Sequence, residues 1–309
     1  MSRNSVGESQ QVRILHIDAG REMRGGQWQV LYLMESLRQA GCEQRLLAPA
    51  SAPLLKAARL RDLAAEPLTV GTVWRHLRWA ELAHAHDARA HTLAALFGHP
   101  RLVVSRRVAF ELQRGPWSGW KYRRACRFLA VSEHVRAVLQ AGGVEPRRIA
   151  VVYDGVPLLP RSTRSGGIIA PALRDPLKAG GLLEQAARAG GFEIRRSAEL
   201  ERDLREAALF IYLTEREGLG SGALLAMAAG VPVIASRVGG LTEVIRDGET
   251  GLLVDNQPEA VAEAVRRLRD DASLAERLAA AGRRQAQDRF SLEALRENTL
   301  RVYREVLSC

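Results

Sequence analysis

The sequence predicts an α/β fold made of two doubly wound halves, and three observations carry that prediction. Short apolar runs of β type alternate with longer segments of helical period along the chain, and strands joined by crossover helices make parallel sheets covered on both faces. The chain has 309 residues, whereas a single core stops growing at roughly 250 to 300. A Pro-, Ser- and Gly-rich stretch, VPLLPRSTRSGG at 156–167, interrupts the alternation, as an inter-domain connection does. The expected division is a first domain at 1–157, a second at 158–289 and a closing helical segment at 290–309.

In order, VRILHID (12–18) reads as a strand, followed by a glycine-containing loop and the helical pattern QWQVLYLMESLRQAG, which stops at Gly41. EQRLLAP, AELAHAHD, PRLVVSRR, CRFLAVSE and RIAVVYDG are the next strands, with helices at 88–97 and 133–141 among them. The second half reads IIAPA, FEIRR, ALFIYLT, PVIAS and GLLV, each followed by a helix-like segment, then amphipathic helices at 258–289. In open parallel sheets ligands bind beyond the carboxyl ends of the strands, so function is expected in the strand-to-helix loops, on a cleft between two such domains.

Composition narrows the class. Hydrophobic residues at 47% and charged residues at 26% are ordinary for a globular protein. Cys42, Cys126 and Cys309 lie far apart without metal-ligand spacing, which favours a reducing compartment. The polar start MSRNSVGESQ lacks the apolar core of a signal peptide. The net charge of +10 is one-sided: residues 1–158 hold 23 Lys plus Arg against 13 Asp plus Glu, and residues 159–309 hold 22 of each. Such asymmetry suits an anionic partner, with a solvated arginine-rich surface as the plain alternative.

After ALFIYLT the chain continues EREGLGSGALLAMAAGVPVIAS, in which the nineteen residues 218–236 carry no charge. Gly222, Gly230 and Pro232 break this run where a helix gives way to a strand, so burial in protein is expected. A helix starting near Ser221 points free N–H groups and its positive end at the loop Gly218-Leu219-Gly220, an arrangement that binds anions. With glycines at 218, 220 and 222 a ligand can approach the backbone. Glu217 beside it cannot hold a phosphate but accepts hydrogen bonds from sugar hydroxyls. Gly25 and Gly26 follow the first strand, Gly239 and Gly240 precede Glu243 in SRVGGLTEVI, and Lys178 lies where it could reach a phosphate. No DxD or Asp/Glu/His cluster offers a site between phosphates, so neither metal nor cofactor is expected.

With GGQWQVLYLMESLRQAG, HAHDARAH, FLAVSEHV, VVYDGV and above all EGLGSGALLAMAAGVPVIASRVGGLTEVIRDGETGLLV, the chain resembles the retaining glycosyltransferases of family 4, of GT-B fold, over nearly its whole length. The resemblance implies transfer of a sugar from a nucleotide donor to an acceptor hydroxyl, with the donor in the second domain and the acceptor in the first. It places Glu217 on the donor sugar, Lys178 on the diphosphate, Gly218 to Ser221 on the phosphate, Gly25 and Gly26 on phosphate or acceptor, and Glu243 among the donor-binding residues. It also implies that RFSLEALRENTLRVYREVL is a helix returning to the first domain.

The chain departs from the family pattern in four places. Leu225 stands where a second glutamate grips the ribose; a lost hydrogen bond to a charged group costs about 1.5–3 kcal/mol. Leu173 stands where an arginine precedes the lysine, with Arg174 one place late. The stretch 168–217 is short by about one strand-helix unit of roughly 30 residues. Ser105, Arg106 and Arg107 occupy the place of a histidine near the reacting carbon, leaving His86 as the nearest imidazole. An active transferase and a degenerate member that binds a sugar nucleotide or partner weakly are therefore both open.

His84, His86 and His91 cross a strand end at a spacing that does not gather three nitrogens, so no metal site is expected there. His86 and Asp87 are expected on the acceptor side. Residues 106–127 mix Trp117, Trp120 and Tyr122 with seven Arg or Lys; this suits an anionic membrane surface or lipid-linked acceptor first, a plain solvated surface second and nucleic acid last. The expected protein is cytoplasmic, docks on the inner face of the cytoplasmic membrane, takes a nucleotide-sugar donor and acts on a cell-envelope glycan or glycolipid without metal.

Overall fold

The computed structural model describes residues 12–112, 115–172 and 180–308. It forms two compact units. The first takes the chain up to Ser105, with Gly119–Arg127 and the residues from Arg301 onward; the second takes Arg106–Ser118 and Phe128–Leu300.

The elements up to Arg106 are β1 (Arg13–Ile17), α1 (Gly25–Gln39), β2 (Glu43–Ala48), α2 (Pro53–Arg59), β3 (Ala65–Pro67), α3 (Val70–Trp79), β4 (Leu82–Ala85), α4 (Ala88–Phe97) and β5 (Leu102–Arg106). These strands run in the order β3-β2-β1-β4-β5, and the pairs are parallel. The elements α2, β3 and α3 are additional to those expected from the sequence. β3 has three residues, ends in a proline and is only half-buried, so it carries neither alternation nor an apolar run. Helix starts follow side-chain caps: Thr69 accepts from Thr72 N, and Asp87 accepts from Arg89 N and Ala90 N. α1 and α2 pack Val30, Leu31, Met34, Leu54 and Leu55 against Leu46 and Ala48 of β2.

Further along come α5 (Pro116–Arg124), β6 (Arg127–Ala130), α6 (Glu133–Ala141), β7 (Ile149–Val151), β8 (Ile168–Pro171), α7 (Gly180–Gly190), β9 (Ile194–Ser197), α8 (Leu200–Asp203) and β10 (Leu209–Tyr212). They are followed by α9 (Ser221–Ala228), β11 (Val233–Ser236), α10 (Leu241–Val244), β12 (Leu252–Val254), α11 (Pro258–Asp270), α12 (Ala272–Arg289) and α13 (Leu292–Leu307). In the second unit β6 and β7 pair in parallel, and a five-stranded parallel sheet has the order β12-β11-β10-β8-β9. The strand order reverses direction beside β8, the topological switch of a doubly wound sheet.

The uncharged run is accounted for by this sheet. α9 is apolar all round, with Ala223 to Ala228 buried, and leads into the fully buried β11. No helix among the described residues is long and apolar enough to cross a membrane. α11 and α12 bury Val261, Val265, Leu268, Leu274 and Leu278 against the same core and turn their charges outward.

Candidate functional site

The loop after β10 is shaped by three glycines that meet the protein's own backbone. A Cβ on Gly218 would lie 2.1 Å from the Arg107 carbonyl oxygen, on Gly239 2.2 Å from the Glu217 carbonyl oxygen, and on Gly240 2.0 Å from the Gly218 carbonyl oxygen. Gly220 has φ +100°, a left-handed conformation that disfavours a side chain, and Leu241 fills the space beside it. Gly222 faces the Tyr212 ring. The expectation that these glycines clear space for a ligand is therefore joined by a second reason: the two strand-to-helix loops at 217–220 and 239–240 cross in direct backbone contact. The Gly240 N–H donates to the Glu217 carbonyl at 3.1 Å, and the Ser132 hydroxyl donates to the Gly218 carbonyl at 2.6 Å.

Glu217 is half-buried. Tyr212 of β10 donates its phenol to Glu217 Oε2 at 2.7 Å, and the Gly218 N–H donates to Oε1 at 3.2 Å, which fixes the carboxylate. α9 then begins at Ser221, Gly220 being the cap residue, and no side chain among the described residues caps it. Ser221 and Gly222 are half-buried, while Leu219 is buried. This places a held carboxylate beside the positive end of a helix. Leu225, one helical turn on, is 8% exposed and belongs to the core.

Glu243 is drawn into a hydrogen-bond group within the protein. Its carboxylate accepts from the N–H groups of Glu133 and His134 at the start of α6, both at 2.8 Å, and from the Tyr153 phenol at 3.0 Å. It serves α6 as an anionic cap, a service usually given by a local residue. Burial, reinforced by the Glu243 charge, pushes the Tyr153 phenol up to about 12. Tyr153 and Asp154 were not singled out from the sequence, and neither residue type in VVYDGV signals that role.

Arg106 ends β5 and Arg107 follows it. Arg107 Nε donates to Asp154 Oδ1 at 3.1 Å, and both side chains are largely buried, at 13% and 9% exposure. Burial pushes the Asp154 carboxyl up, Arg107 opposes that shift, and Glu217 adds to it. Arg106 donates to the Phe110 carbonyl at 2.7 Å, while its buried Nε has no hydrogen-bond partner among the described residues. Lys178, Arg174 and Leu173 lie outside the described residues.

In the first unit, the loop after β1 is organised by Asp18, which accepts from the Gly20 N–H at 2.8 Å and from the Gln27 amide at 3.1 Å. Gly25 and Gly26 open α1, exposed and half-buried respectively. His16 stands opposite His84 in the β1–β4 register, and with His86 these two form a buried group of imidazoles whose ligand atoms lie within 4.8 Å of one another. His91, near His84 and His86 in the sequence, lies apart from them in α4 against the Lys121 carbonyl at 3.1 Å, and strand pairing supplies His16 in its place. Such a group is geometrically able to take a metal, yet both nitrogens of His16 and of His84 and the Nε2 of His86 are already hydrogen-bonded within the protein. His16 lies between Gln44 Oε1 at 3.1 Å and His86 at 2.9 Å, and His84 between the Tyr303 and Ser105 hydroxyls at 2.6 and 2.8 Å. Asp87 uses its carboxylate on α4 and on the Ala19 N–H at 2.5 Å.

α5 buries none of its residues, and Trp117 is 79% exposed. Arg124 stacks on Trp120 and Lys121 lies near the Tyr122 ring.

A family model described as glycosyl transferases group 1 matches residues 194–285, and one described as Glycosyltransferase Family 4 matches residues 23–158. A D-inositol 3-phosphate glycosyltransferase of Streptomyces griseus is 31% identical over 253 residues, 74% of this chain and 52% of that protein. An alpha-maltose-1-phosphate synthase of Mycolicibacterium smegmatis is 39% identical over 130 residues, 39% of this chain and 34% of that protein. The chain spans about half the length, or less, of the curated relatives it matches. Among solved structures, Anabaena HepE in complex with UDP aligns with a TM-score of 0.84 at 15% identity, over 95% of this chain and 100% of that one. That likeness is one of fold, the two-domain Rossmann-like GT-B type.

Proposed function

Because the chain belongs to the group 1, family 4 glycosyltransferases, we propose that it transfers a sugar from a nucleotide-sugar donor to an acceptor hydroxyl, with the anomeric configuration kept. The observation that carries the reading is the pairing of Glu217, clamped by Tyr212 and the Gly218 N–H, with the start of α9, which no side chain among the described residues caps. A carboxylate accepts from sugar hydroxyls, and helix N–H groups receive the diphosphate. The N–H groups around Gly220 and Ser221, with Lys178 and Arg174, stabilise the leaving diphosphate, so the step needs no metal and no side-chain acid. The departing phosphate oxygen takes the acceptor proton.

The acceptor is a cell-envelope glycan or glycolipid, met at the inner face of the cytoplasmic membrane. Support comes from the positive balance of residues 1–158 and from the segment Pro116–Arg124, which carries the exposed Trp117 together with Lys121, Arg123 and Arg124. Aromatic side chains among cations suit the interface of an anionic bilayer. Binding to vesicles containing anionic lipid that weakens with added salt is the expected result; retention on oligonucleotides instead would reject the membrane assignment.

Thermal shift with UDP, GDP and ADP and their sugars tests the donor. A ligand at 100 times its dissociation constant adds about 2.7 kcal/mol of stability, so one base is expected to raise the melting temperature and the others not. The buried Leu225 favours a second reading, a relative that binds a donor weakly without transfer. Leu225→Glu separates the two: about tenfold tighter donor binding with transfer to added acceptors supports the enzyme, and unchanged binding removes Leu225 from the ribose site.

A further inference from the structure

Arg107 and Asp154 form a largely buried ion pair, and the Arg107 backbone lies against the loop that leads into α9. Asp154 is buried and bonded to Arg107 Nε, and the Glu217 charge is felt at Asp154. The Arg107 carbonyl lies against Gly218, one residue from Glu217 and three from the first residue of α9. Arg107 itself follows the last residue of β5 in a stretch without regular structure.

This ion pair is poorly explained as a source of stability. Taking two charges out of water costs several kcal/mol per ion, and well-packed apolar residues often replace such a pair without loss. Of Glu217, Asp154 and Arg107, the guanidinium is the one group that attracts a diphosphate. A guanidinium offers five N–H donors in a plane that matches phosphate oxygens, and a carboxylate on its Nε fixes that plane.

We propose that Arg107 binds the diphosphate of the nucleotide-sugar donor beside Glu217, and that Asp154 is the positioning residue that holds its guanidinium in place. The proposal rests on the donor reading above and adds to it a phosphate-binding cation on the loop after β5.

The test measures UDP and UMP affinity of the full chain by calorimetry, with the GDP/GMP and ADP/AMP pairs in parallel, for the wild type, Arg107→Lys, Asp154→Asn and the double variant Arg107→Gln/Asp154→Asn. The double variant replaces the ion pair by two amides of similar size, so it supplies the measurement where a single substitution strands a buried charge. For the base that binds, Arg107→Lys and the double variant are expected to lower the preference for the diphosphate over the monophosphate about tenfold, and Asp154→Asn about fivefold. A purely structural role lowers the melting temperature and leaves that preference unchanged, which would overturn the proposal while the donor reading stands. A wild type that binds none of the three diphosphates overturns both.

Discussion

The histidine cluster at β1 and β4 and the glycine crossing at β10 and β11 solve one problem by opposite means. Both lie at the carboxyl ends of parallel strands, where backbone and side chains must be satisfied away from water. At β1 and β4 the solution is a set of buried rings bonded in two lines, Gln44 to His16 to His86 and Tyr303 to His84 to Ser105. At β10 and β11 it is an absence of side chains, with carbonyls of Arg107, Glu217 and Gly218 filling the places of missing Cβ atoms. Residues that look like ligand chemistry in a sequence are first obliged to complete the fold, as the bonded imidazoles and the crossing glycines do.

The strongest way to break this comparison is Gly240→Ala, whose added methyl meets the Gly218 carbonyl oxygen at 2.0 Å. A loss of about 3 kcal/mol in urea unfolding is expected, and a loss below about 0.5 kcal/mol would show the crossing to be loose. Next is His84→Ala, which strips the Tyr303 and Ser105 hydroxyls of their shared partner. It should cost about 2 kcal/mol by the same measurement, because buried hydroxyls left unpaired lose roughly 1–3 kcal/mol each unless water enters.

The smallest effect sharpens the reading of Glu243. Tyr153 is held protonated, its folded value of about 12 lying above the ordinary one of 10.0. The sign follows from that direction: the Tyr153–Glu243 bond stabilises the fold fully below the unfolded value and loses its contribution as pH rises through the folded one. Tyr153→Phe should cost about 1 kcal/mol at neutral pH. The difference in tyrosinate absorbance between wild type and Tyr153→Phe should rise near pH 12; a rise near pH 10 would detach Tyr153 from Glu243.

Much of the fold was legible because period and punctuation act locally. The helices at 88–97 and 133–141 coincide with α4 and α6, each opened by a capping side chain, Asp87 or Ser132. The run 218–236 announced a buried helix and strand through its glycines and proline, and α9 and β11 occupy it. Glu217 was legible beside the helix start for the same reason.

What tertiary structure alone decided are relations between residues far apart in sequence. Strand register set His16, not His91, against His84. Glu243 caps α6 from 110 positions away, and Asp154 reaches Arg107 across 47. The three glycines answer to carbonyl oxygens that the packed loops bring within 2.2 Å of where a Cβ would stand. Local propensity carries no record of such distances, since a side chain's partner across a sheet or loop is fixed by register and packing, which the chain settles only when it folds.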